Sequence, residues 1–215
     1  MKRKLLAAIL PPVFLLCSCL GVSADIVLNR DGSGTIALEY RISGFLDSLG
    51  KLDGNERWNT IPAGKADFER TLDRLPDIKL LSFSSKEDGK NLVISVKMEF
   101  GSIKGLLAFL DASGRRASFS GDAGSGSMLL TLSKSAGSNN PGLDKLIGDI
   151  SEGYLAVLGM SFPGEGSLSV LDAHGNSLEA IPGSSITPRG KKVSLSIPIR
   201  EILSAPDGII AGFSW

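Results

Sequence analysis

Both cysteines of this 215-residue chain, Cys17 and Cys19, lie at its beginning, so whatever folds after them has no disulfide to hold it together. Such a domain depends on core packing alone. The residues before the pair explain their position. Lys2, Arg3 and Lys4 form a basic head, and residues 5–16 form an apolar run interrupted only by Pro11 and Pro12. A basic head followed by a short apolar run is the layout of a secretory signal, and the run is too short to span a bilayer permanently. A buried N-terminal helix fits poorly, because the proline pair would break it. The chain is therefore expected to be exported and to fold outside the cytoplasm.

Two exits from that signal stand side by side. Val22, Ser23 and Ala24 offer the small residues that ordinary signal peptidase requires before Asp25, which would make residues 1–24 the leader. The stretch Leu16-Cys17-Ser18-Cys19 resembles a bacterial lipobox, with an aliphatic residue at minus three and a small one at minus one. That resemblance implies a leader of residues 1–18, an acylated Cys19 as the mature N-terminus, a short tether over residues 19–24, and one exported domain over 25–215. Cys17 at minus two departs from the commonest residues there. A disulfide between the two cysteines or a metal site on them is the poorer reading, since one residue separates them and no third cysteine completes a ligand set.

Removing Lys2, Arg3 and Lys4 from 23 basic residues leaves 20 against 23 acidic ones, so the mature chain carries a charge near −3 with His174 neutral. Bulk charge recruits neither nucleic acid nor an anionic bilayer. Cleavage before Cys19 leaves 197 residues, enough for one domain with a substantial core. No apolar run after residue 24 is long enough to span a bilayer.

Alternating patterns and turn signals dominate the rest. A strand at 25–29, a turn at Asp31-Gly32-Ser33-Gly34 and a strand at 35–43 make a first hairpin; Ile36, Leu38, Tyr40 and Ile42 fall on one face. Residues 45–52 read as a short helix, 53–62 as a polar loop around Trp58, and 65–75 as an amphipathic helix ended by Pro76. A second hairpin joins 78–84 to 91–100, where Leu92, Ile94, Val96, Met98 and Phe100 alternate. An apolar helical segment at 103–110 precedes a third strand pair, 116–120 and 127–133. Residues 141–158 read as the clearest helix, with Leu143, Leu146, Ile147, Ile150, Tyr154, Leu155 and Leu158 on one stripe. Strands at 167–171, 193–199 and 209–215 close the chain, with a one-turn helical bridge at 201–205. Short Gly-rich turns between alternating strands predict an α+β fold: a mostly antiparallel sheet with helices packed on one face, chiefly the one at 141–158. The competing division is two small domains separated near 135–140.

The layout is similar to bacterial lipoproteins carrying an LppM-like domain. The residues that carry the resemblance are the lipobox, the run Asn29-Arg30-Asp31-Gly32-Ser33-Gly34-Thr35, a helix in the later half, Phe162-Pro163-Gly164, the turn from Asp172 to Gly175, a late Val-bearing strand and the terminal Trp215. It implies a small envelope module, lipid-anchored outside the cytoplasm, with lipid, glycolipid or an envelope protein as partner. It implies no catalytic set.

The chemistry legible in single residues agrees. His174 is the only histidine and lies in a turn, and no Gly-x-Ser-x-Gly elbow occurs, so a Ser-His-Asp hydrolase lacks its parts. Zinc needs three or four ligands that the mature chain does not offer. Gly121, Gly124 and Gly126 precede a strand pattern rather than a helix, which argues against a phosphate loop. The sequence thus predicts a non-enzyme without cofactor or metal: a tethered binding or envelope-organising module. A soluble periplasmic or secreted protein-interaction domain is the alternative, and an unrecognised hydrolase a distant third. Contact candidates are Trp58, Tyr40, Tyr154 and Trp215, Trp58 first because its neighbours Asn55, Glu56, Arg57 and Asn59 do not resemble core.

Overall fold

The protein is described from a computed structural model over residues 19–43, 64–89, 91–111, 115–133, 154–172, 174–175, 177, 181–205 and 207–215. It is an α+β fold built on two sheets. The first contains β1 (Cys19–Leu28), β2 (Gly34–Ser43), β3 (Ile78–Asp88), β4 (Asn91–Phe100), β7 (Leu155–Ser161), β9 (Ser185–Arg189) and β10 (Lys192–Pro198), in the order β3-β4-β2-β1-β7-β10-β9. The second contains β5 (Ala117–Gly121), β6 (Gly126–Leu132), β8 (Ser167–Asp172) and β11 (Ile209–Ser214), in the order β5-β6-β11-β8. Three short helices accompany them among the described residues: α1 (Lys65–Leu72), α2 (Ile103–Leu110) and α3 (Ile199–Ser204).

Every neighbouring strand pair is antiparallel except β1 and β7, which run parallel from Val22↔Ala156 to Val27↔Ser161. The antiparallel pairs follow from the alternation. Ile36 and Tyr40 of β2, Ile94, Val96, Met98 and Phe100 of β4, and Val193, Leu195 and Ile197 of β10 all point to one buried face. From the second sheet come Met128, Leu130, Val170, Ile209, Ala211 and Phe213, and the buried residues of both sheets merge into one core. Phe68 and Leu72 of α1 and Leu106 of α2 complete it.

Local chemistry sets the turns. Between β1 and β2, Gly32 adopts φ +83°, the left-handed conformation such a tight turn needs. The Asn29 N–H donates to Ser33 O at 2.8 Å and the Gly32 N–H to Asn29 O at 3.1 Å. Helix α2 starts where Ser102 Oγ accepts the Gly105 N–H at 3.1 Å, an N-cap. The two edges of the large sheet are blunted. All five residues of β9 are exposed and include Pro188, while β3 bulges between Leu80 and Ser82.

Two expectations need correction. The helix expected over 141–158 does not reach its end: Leu155–Ser161 is strand β7, held between β1 and β10, and residues 141–153 lie outside the described residues. Among the described residues, the second sheet, α1 and α2 pack on the large sheet's buried face. Residues 19–24, expected as a tether, form the first half of β1, with Cys19 paired to Ile42 and Val22 to Tyr40. The strands divide between two sheets, and the expected α+β class with mostly antiparallel pairing holds. The expected helix at 45–52 and the loop around Trp58 lie outside the described residues.

Candidate functional site

Among the described residues a concavity lies at the far end of β1 from Cys19. Register builds it. Leu28 pairs with Gly34, Gly34 with Phe100, Thr35 with Glu99, and Glu99 with Lys79, so residues distant in sequence meet at one rim. The resulting cleft has a volume of about 370 Å³ and is lined by residues of the β1–β2 turn and β2 (Asn29, Ser33, Gly34, Thr35), by Pro76, Asp77 and Lys79, and by Glu99, Phe100 and Gly101. That volume lies near the lower end of the range of small-molecule sites, ~300–1,000 Å³.

Its walls expose polar and apolar surface in about equal measure, and the polar groups are internally bonded. Ser33 donates to Asp31 Oδ1 through both its N–H (3.0 Å) and its hydroxyl (2.7 Å), and Asn29 Nδ2 donates to Ser33 Oγ at 3.0 Å. The hydroxyl and backbone bonds from Ser33 hold the Asp31 carboxyl below the ordinary carboxylate pKa. On the opposite wall Lys79 Nζ lies 3.5 Å from Glu99 Oε1. This pair is largely exposed and contributes little to stability, which leaves both side chains available to a ligand.

Asp77 is fixed more firmly. Its carbonyl accepts the Gly101 N–H at 2.9 Å, and its carboxylate accepts the Ser102 hydroxyl at the start of α2. Gly105 lies against that carboxylate, and a Cβ there would collide with Asp77 Oδ2. The Asp77 backbone and side chain thus hold the loop after β4 to the loop before β3. The arrangement presents hydroxyls, an amide, a lysine and carboxylates around Pro76, a set suited to recognising a polar surface.

The contact candidates taken from the sequence lie elsewhere. Tyr40 is 6% exposed on the buried face of β2, its ring 6.4 Å from Phe68, which lies 5.7 Å from Phe83. Trp215 is stacked between Phe162 (4.9 Å, 15°) and Phe119 (5.8 Å, 20°), and its indole N–H donates to Ala123 O at 3.1 Å. Its main chain exchanges two 3.0 Å bonds with Gly126, so the ring closes the end of the second sheet. Tyr154 is half-buried just before β7, its carbonyl accepting the Ile199 N–H at 3.0 Å. Tyr40 and Trp215 belong to separate aromatic groups, and neither they nor Tyr154 line the cleft. Trp58 lies outside the described residues. Cys19 opens β1.

Sequence reasoning singled out the turn at Asp31-Gly32-Ser33-Gly34 but missed Asp77, Lys79 and Glu99 as site residues. The available signal was the alternation of β4, which sends Glu99 to the face opposite Met98 and Phe100. Nothing local joins it to Lys79 or Asp77. His174 sits in an exposed turn with its N–H bonded to Asp172 Oδ1 at 2.8 Å. Among the described residues no group of three or more His, Cys, Asp or Glu is placed to hold a metal ion, and no helix is long and apolar enough to cross a membrane. Compared with known proteins, the chain matches no protein-family model and no curated protein.

Proposed function

We propose that the chain is an exported recognition domain that works without catalysis, contacts a protein or another polar partner through the cleft around Asp77, Lys79 and Glu99, and is acylated at Cys19. The observation that supports the recognition reading is the cleft's lining: an open concavity in which Asn29, Ser33, Thr35, Asp77, Lys79 and Glu99 stand beside Pro76 and Phe100 offers hydrogen-bonding and ionic groups to a partner. A protein-interaction role therefore has better support than lipid storage. The likeness to LppM-like lipoproteins enters only as the source of the envelope location.

The anchor is supported by strand pairing. Cleavage after Ala24 would remove Val22, Ser23 and Ala24 from a strand paired on both sides, to β2 and to β7. Cleavage before Cys19 leaves β1 whole. A wholly soluble product made by the Ala24 route would begin with a truncated central strand.

Photo-crosslinking in the producing cell tests recognition. A benzophenone amino acid replacing Lys79 is expected to yield a discrete covalent adduct, and the same group replacing Ser196, outside the cleft in β10, is expected to yield none. Adducts of equal yield at both positions, or at neither, would refute the cleft as the contact surface. Fatty-acid labelling of the wild type and of Cys19→Ser tests the anchor: label in the wild type alone is expected.

A further inference from the structure

Register carries one row of side chains out of the cleft and across the whole large sheet. Inside the cleft Lys79 pairs with Glu99 and Glu99 with Thr35. Beyond it Thr35 pairs with Val27, Val27 with Ser161, Ser161 with Lys192, and Lys192 with Arg189. Each strand of the 7-stranded sheet thus contributes one residue. The neighbouring Phe100, Leu28, Phe162 and Val193 are buried, so the row faces away from the core. With strands about 4.8 Å apart the row spans about 29 Å, the length of about nine extended residues. It lies far from where the sheet meets the long stretches outside the described residues. Thr35 is about 26 Å along β2 from Ser43, and Ser161 about 20 Å along β7 from Leu155.

The middle of the row is low and the ends are charged. Thr35, Val27 and Ser161 form the middle, with Val27 42% exposed. Beside them Ala37 pairs with Asp25, Asp25 with Gly159, and Gly159 with Ser194, so the adjoining surface is low as well. Gly159 lets Lys192 Nζ reach Asp25 Oδ1 at 2.6 Å across β7, because a Cβ there would collide with that carboxylate. At the cleft end Lys79 is matched by Glu99. At the β9–β10 end the balance is positive. Arg189 forms no ion pair among the described residues, and Lys191 donates to the neutral Pro163 carbonyl at 2.9 Å. Lys192, Arg189 and Lys191 thus stand against Asp25 and the exposed Glu165, in a chain whose overall charge is near −3.

We infer that the cleft is one end of a longer docking track, and that the track holds an extended polypeptide segment of a partner protein, with its acidic side chains over Arg189 and Lys191. This rests on the cleft as the contact surface, as proposed above. Hydroxyls, one exposed valine and charges of both signs along about 29 Å match the side chains of an extended chain laid across the strands. The segment is held by its side chains and does not extend the ladder, since Pro188 in β9 and the bulge in β3 blunt both edges.

Photo-crosslinking of the full chain in the producing cell, with adducts identified by peptide mass, tests the track. A benzophenone amino acid replacing Ser161, midway along the row, is expected to capture the same protein segment as one replacing Lys79, with Asp or Glu in that segment toward the Arg189 end. Arg189→Glu is expected to lower the Lys79 adduct at least about threefold. Lys86→Glu makes the same change of net charge at the other end of β3 and is expected to leave the adduct within about 1.5-fold. Both side chains are exposed, so neither variant disturbs the core. An adduct at Lys79 with none at Ser161, or equal losses from the two charge reversals, would overturn the track and leave the cleft as the contact surface. A lipid or glycan adduct at Ser161 would overturn the polypeptide partner. No adduct at Lys79 in the otherwise wild-type chain would remove both the track and the reading it rests on.

Discussion

A chain that begins at Asp25, the product of cleavage after Ala24, should be much less stable than one that begins at Cys19. The loss can be worked from β1. Residues 22–24 pair with Tyr40, Glu39 and Leu38 on one side and with Ala156, Val157 and Leu158 on the other. Three residues of a central strand carry three N–H and three C=O groups, so about six ladder bonds disappear, each contributing a net ~1 kcal/mol. Val22 is half-buried against the core, and its loss adds about 1 kcal/mol. Freeing three residues offsets this by about 1.5 kcal/mol each in backbone entropy. The balance from residues 22–24 alone is a destabilisation of about 2–3 kcal/mol, a large share of the ~5–15 kcal/mol that holds a typical domain. Urea denaturation of residues 19–215 with Cys19→Ser, compared with residues 25–215, reads the difference directly. With an m-value of about 2 kcal/mol/M the midpoint should fall by about 1–1.5 M. Midpoints that agree to within about 0.5 kcal/mol of stability would refute the reasoning: the first half of β1 would then contribute nothing, and the Ala24 exit would be as compatible with the fold as the Cys19 exit.

Trp215→Ala removes a ring held between Phe119 and Phe162 together with its bond to Ala123 O, and should destabilise the protein by about 3 kcal/mol in denaturant titration. Trp215→Phe keeps a stacked ring and loses the bond, so about 1 kcal/mol is expected. Ser33→Ala deletes the hydroxyl that donates to Asp31 and should raise the Asp31 pKa, followed by carboxyl-carbon NMR titration. Because that pKa is lowered in the folded protein, the bond stabilises above the unfolded-state value and its contribution is lost as pH falls through the folded value. The variant should therefore differ from wild type at neutral pH and converge with it in acid.

Much of the fold was legible where alternation ran long enough with one wet face. Leu92 to Phe100 repeats every second residue over five positions, and Val193 to Ile197 over three, so β4 and β10 could be read directly. Residues 103–110 were read as an apolar helical segment and form α2, where the structure adds the cap from Ser102. The misreading of 155–158 has a physical cause. Tyr154, Leu155 and Leu158 satisfy the spacing of a helical stripe, yet Leu158 and Met160 also alternate as a strand. Pairing to β1 and β10, set by residues far away in sequence, decides between them. Residues 19–24 were opaque because Gly21, Ser23 and Ala24 are small, which suits a peptidase and equally suits a strand between two close neighbours. β9 had no pattern to find, since all five of its residues are exposed. The cleft was half-legible: its turn at Asp31-Gly32-Ser33-Gly34 is a local signal, whereas Asp77, Lys79 and Glu99 meet only through the register of β3 on β4.

The central claim is that β1 starts at an acylated Cys19 and remains whole in the mature protein. Mass spectrometry of the N-terminal tryptic peptide from membranes of the producing cell tests it most directly. The expected peptide runs from Cys19 to Arg30 and carries a diacylglyceryl thioether, with the protein partitioning into detergent. A peptide beginning at Asp25, without lipid and recovered from the soluble fraction, would contradict the account.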